Sequence, residues 1–123
     1  MKTARGLIVA GSAILFVTAL LHGSGYWQLS DEIVRSNAIP LVISAFKALW
    51  LVFSAHLIVL SLVFVAASRI PGGKRIILIG VLIPAFDIVL LAHFMGLFFF
   101  GTIAVALAGV LLLAGGTMLP SGR

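Results

Sequence analysis

The chain has 123 residues, of which 63% are hydrophobic and only 9% charged, with a net charge of +5 and a mean hydropathy of +1.32. Soluble domains carry roughly 25% charged residues, and a small globule cannot hide this much apolar surface. An ordinary soluble enzyme, a disordered chain and a nucleic-acid-binding domain are excluded, and the absence of cysteine removes disulfides and thiolate chemistry.

A bilayer core asks for about 20 mostly apolar residues per helix. The first such segment covers 6–22 and follows Lys2 and Arg5. It has the look of a signal peptide, and Val17-Thr18-Ala19 passes as a cleavage site; it is read as a retained span. The next stretch, from Gly23 to Ile39, carries Tyr26 and Trp27, residue types of an interfacial aromatic belt. Ser30-Asp31-Glu32 has the chemistry of a helix start, so a short interfacial helix is expected there.

The second span covers 41–68. It opens at Pro40, a residue favoured in a first helical turn, and stops at the basic, glycine-rich 68–75. From Ile76 to Leu119 the chain is apolar except for Asp87. That length suits two helices, at 76–95 and 98–119, with the turn expected near His93–Gly96 and Gly101 as the other choice. The expected fold is an all-α integral membrane protein: one domain, an antiparallel bundle of four transmembrane helices. Lys2, Arg5, Arg69, Lys74, Arg75 and Arg123 fall on one side, and Arg35 and Lys47 on the other. The positive-inside rule then puts both termini in the cytoplasm and the first loop outside, in a cell inner membrane.

Ionisable groups inside hydrocarbon are costly, so each is a candidate for function. At 1.5 Å per residue, His56 and Asp87 both lie roughly 16 Å from the cytoplasmic ends of their helices, near the midplane. His22 and His93 lie roughly 25 Å in, beneath the outer surface. Two tiers result. Lys47 sits higher, where its stem can snorkel. On the third span Gly80, Pro84, Asp87 and Leu91 share a face, and Pro84 leaves the Gly80 carbonyl without its usual donor. His93 projects about 120° away from Asp87 on the same helix.

The second span is polar on two sides. Ser44, Lys47, Ser54, Ser61 and Ser68 recur at near-heptad spacing, which suits serines bonding back to their own helix. His56 points nearly opposite, beside Phe53 and Leu60. On the fourth span Gly101, Ala104, Ala108 and Gly115 form a small-residue face that permits close helix approach, including self-association.

The leading expectation is an outward-opening polar site built from Asp87, His56, His93 and His22, supported by Lys47, Tyr26, Trp27, Pro84 and Gly80. It would bind a small ligand, a proton or a cofactor, within a homo-oligomer or a larger membrane complex. Burial disfavours charge on both members of a His–Asp pair, which lets them share one proton. A small proton-coupled transporter is a variant of this reading. A second reading pairs His22 with His93 as ligands of haem or a divalent metal, although no His-x-x-x-His spacing supports it. A third is a structural subunit without chemistry, in contact with membrane lipids and other subunits. No nucleophile–base motif or phosphate-binding glycine loop is present, so an enzyme is the weaker expectation.

Overall fold

A computed structural model describes residues 1–120. All of its regular elements are helices: α1 (Lys2–Ser24), α2 (Tyr26–Arg35), α3 (Pro40–Ala67), α4 (Gly73–Gly80), α5 (Leu82–Met95) and α6 (Phe100–Met118). Four segments are long and apolar enough to cross a membrane: α1, α3, the α4–α5 pair taken as Gly73–Met95, and α6. This is what the hydropathy pattern requires of an all-helical chain.

α1 is the central element, packed between α3 and α6. Pairings along α1 and α3 run inversely: Arg5 meets Ser68, whereas His22 meets Ser54. Along α1 and α6 the same holds, with Gly11 against Ala108 and Leu112, and Ala4 and Ile8 against Gly115. A β-carbon built on Gly115 would lie 2.8 Å from the Ala4 carbonyl oxygen. Only glycine allows this approach, and the α1–α6 contact is close because of it. The small-residue face of α6 therefore meets α1 within the chain: Ala104 and Ala108 are buried, as is Gly115, while Gly101 lies beside Phe99.

The core gathers where these helices meet. Ile8, Leu15, Leu57, Phe64, Ile77, Val105 and Leu112 are fully buried. At the same end two cations serve helix C-termini. The Arg5 Nε donates to the Ser68 carbonyl at 3.1 Å. The Lys74 Nζ donates to the carbonyls of Thr117 and Leu119 at 3.0 and 2.9 Å. Helix C-termini carry unsatisfied carbonyls and partial negative charge, so both contacts are favourable. Three more of the basic residues counted for topology, Lys2, Arg69 and Arg75, are near them in sequence; Arg123 lies outside the described residues.

The third apolar segment, Gly73–Met95, has one interruption of its helical ladder, at a residue whose own backbone stays helical. It breaks at Val81 between α4 and α5. Pro84 explains the break, since it cannot donate to the Gly80 carbonyl one turn back. Before the break α4 packs on α3 and α6; after it α5 leans mainly on α6. Phe64 of α3 fills the space over Gly80 at the break. α5 ends at Gly96, whose φ of +96° is a conformation glycine adopts without steric penalty. The Thr102 hydroxyl donates to the Gly96 carbonyl at 3.0 Å and fixes the turn into α6.

The short helix in the first loop starts earlier than the Ser30-Asp31-Glu32 signal implies. Gly25 stays helical in backbone, so α2 begins at Tyr26, directly after α1. Ser30 is buried mid-helix and caps nothing.

Candidate functional site

The site grows from the place where α5 swings away from α3. There the two helices are bridged by side chains. His56 Nε2 and Asp87 Oδ2 are 2.9 Å apart, an ion pair if His56 is protonated and a hydrogen bond if it is neutral. The Asp87 side chain is 9% exposed and that of His56 29%. Among the described residues, only His56 bonds the Asp87 carboxylate. The second oxygen has no protein donor, yet it is not sealed off as a buried unsatisfied atom. Asp87 lines a cavity.

That cavity has a volume of about 620 Å3 and is lined by His22, Phe46, Leu49, Trp50, Phe53, Asp87, Leu90, Leu91, Phe94 and Met95. Its walls come from α1, α3 and α5, the first three apolar segments. A second cavity of about 330 Å3 adjoins it toward α6 and α2, reaching Thr18, Leu29, Phe99 and Gly101. The two share His22, Trp50, Phe53 and Leu91, which form a waist between them.

His22 is the keystone of the waist. Its Nδ1 is 2.9 Å from the Ser54 hydroxyl. Its ring stacks on Trp50 with centroids 3.8 Å apart and planes within 18°. Trp50 returns a bond from Nε1 to the His22 carbonyl at 2.9 Å. Phe53 lies 4.9 Å from the His22 ring and 5.1 Å from the His56 ring. The two tiers are thus joined by one aromatic ring rather than by a polar relay. The α3 serines divide in role: Ser61 and Ser68 bond back to carbonyls of their own helix, and Ser54 faces α1.

The other sequence candidates stand apart. His93 is exposed, contacts the ring of Phe94 at 4.7 Å and lines neither cavity. Its 120° offset from Asp87 turns it out of the cleft. The bis-histidine arrangement of His22 and His93 does not form around either cavity. No group of three or more potential metal-binding side chains converges among the described residues. Lys47 is half-buried and lines neither cavity. Tyr26 and Trp27 pack edge to face at 5.3 Å on α2, with Trp27 74% exposed. Pro84 is buried and Gly80 lies under Phe64; both shape α5 without lining the cavity.

Phe46, Trp50 and Phe53 carry more of the site than sequence reasoning assigned them. The signal was present: they recur at spacings of three and four on one helix, the period that places side chains along one face.

No family model, curated protein or solved structure matches this chain.

Proposed function

We propose that this chain is an integral membrane protein whose His56–Asp87 pair is a proton-holding site inside the bilayer, beside a cleft for a small ligand. The observation that carries the reading is the 2.9 Å contact between two ionisable side chains on facing apolar helices, at the edge of a cavity. Ionisable groups at such depth are costly and mark pathways, relays or ligand sites. The helices form an antiparallel bundle, as the inverse pairings along α1–α3 and α1–α6 support. Both termini and the α3–α4 turn face the cytoplasm, where Lys2, Arg5, Arg69, Lys74 and Arg75 gather. α2 lies at the outer interface with Trp27 toward the headgroups, and the cleft opens on that half of the membrane. The protein works as a homo-oligomer or as a subunit of a membrane complex, through the apolar faces that α3, α5 and α6 leave exposed.

Infrared difference spectroscopy of the protein in lipid nanodiscs tests the proton site. The chain has only three acidic side chains, Asp31, Glu32 and Asp87, so assignment is direct. A carboxyl band that appears on acidification, vanishes in Asp87→Asn and shifts in His56→Gln is the expected result. A spectrum unchanged by both substitutions would sink the reading. The absence of cysteine makes topology testable in intact cells. Cysteine at Gln28 should react with an impermeant maleimide from outside intact cells, and cysteine at Thr3 should not.

A further inference from the structure

The cleft's wall chemistry names a ligand class. This step rests on the proton-site reading above and deepens it. The larger cavity presents four aromatic rings, Phe46, Trp50, Phe53 and Phe94, and one carboxylate, Asp87. Its volume of about 620 Å3 falls within the roughly 300–1,000 Å3 of small-molecule sites. Aromatic faces carry negative quadrupole charge and attract cations, more so where water is excluded. Asp87, one of whose oxygens has no protein donor, adds a carboxyl group to the same wall. Leu49, Phe94 and Met95, on the rim between α3 and α5, are themselves exposed, so an apolar molecule can enter sideways from lipid. A neutral apolar ligand would leave the second Asp87 oxygen without a partner, and a small hydrated metal cation would leave the aromatic walls unused.

We infer that the cleft between α3 and α5 binds a lipophilic organic monocation, held by the Asp87 carboxylate and the surrounding aromatic rings, in exchange for the proton of His56. The exchange balances in charge. Before binding, protonated His56 pairs with ionised Asp87. On binding, the His56 imidazolium releases one proton, keeps its Nε2–H bond to Oδ2 and becomes neutral. The ligand's positive charge takes the place of the one that left, so the cleft keeps its net charge. The only other titratable side chain on the cleft wall is His22 from α1, engaged with Ser54 and Trp50. Lys47 on α3 and His93 on α5 line neither cavity. α6 brings no ionisable residue, α4 holds Lys74 and Arg75 before its break, and the charged residues of α2 are outside the lining.

The test is calorimetric titration of the full chain in nanodiscs with tetraphenylphosphonium, and with triphenylphosphine oxide as its neutral counterpart. The expected result is saturable binding of the cation with release of about one proton, read from runs in buffers of different ionisation heat. Affinity should rise about tenfold per pH unit while His56 is protonated in the free protein. Asp87→Asn should weaken binding at least about tenfold, the loss of one partially buried charge contact, and Asp87→Glu should restore part of it. Equal binding of the neutral analogue by the unaltered protein overturns the proposal, whatever the variants do. So does undiminished cation binding by folded Asp87→Asn, or a pH-independent affinity. A coupled carboxyl band without cation binding sinks the ligand class and leaves the proton site standing. Cation binding without release of a proton sinks the exchange on the pair.

Discussion

The two ends of this molecule differ in how closely their helices pack. At the end holding Arg5 and Lys74, α1 and α6 approach so closely that Gly115 has no room for a methyl group. Ile8, Phe64, Ile77 and Leu112 are fully buried there. A cleft of about 240 Å3 lies there beside Arg5 and Lys74, whereas at the end holding His22 and Asp87 two larger cavities, of about 330 and 620 Å3, open between the helices. Val81 marks the border: α4 belongs to the packed end, and α5 contributes only Pro84 and Asp87 as buried residues. Packing at one end can hold the bundle while the other stays open. A bundle uniformly close-packed would have no space for a ligand, and one uniformly open would not fix His56 against Asp87.

Substitutions should separate the two ends by size of effect. Phe64→Ala removes the largest fully buried side chain and should destabilise by about 3–5 kcal/mol, as large-to-small core changes do. Unfolding in mixed detergent measures it. Gly115→Ala places a methyl group against the α1 backbone and should cost about 1–3 kcal/mol through overpacking. Replacing His56 and Asp87 together by leucine should leave stability unchanged or higher, because exchange of a buried pair for apolar residues is often neutral or stabilising. A large loss in that double variant would make the pair a structural clamp and erase the distinction between the ends. Gly109→Ala is the matched control on α6. Its methyl group would meet only Ile88 at 3.8 Å, so the variant should gain up to about 1 kcal/mol from helix propensity.

The sequence makes the four apolar helices legible because hydropathy over 20 residues depends on no neighbour. Depth was legible too: residue counts put His56 and Asp87 at one level, and their side chains are 2.9 Å apart. Rotation between helices was not. Helical phase says which residues share a face, but not which helix that face meets. For that reason the serine side of α3 gave no hint that Ser54 holds His22. The same gap hid the partner of the small-residue face on α6, which is α1 of the same chain. His93 matched His22 in depth, yet its angular offset sends it outward. The interruption at Val81 accords with Pro84, whose missing N–H removes one bond of the helical ladder. The α2 start was misplaced because Gly25 continues in helical backbone where the Ser30-Asp31-Glu32 pattern implied an extended entry.

The central claim is that His56 and Asp87 act as one titrating unit within the open end. With only three histidines in the chain, nitrogen-15 histidine spectra in nanodiscs address it directly. The account predicts that Asp87→Asn changes the ring-nitrogen shifts and tautomer balance of His56, which loses its 2.9 Å carboxylate partner, and leaves those of exposed His93 where they were. Identical His56 ring-nitrogen spectra in the unaltered protein and in folded Asp87→Asn would contradict it.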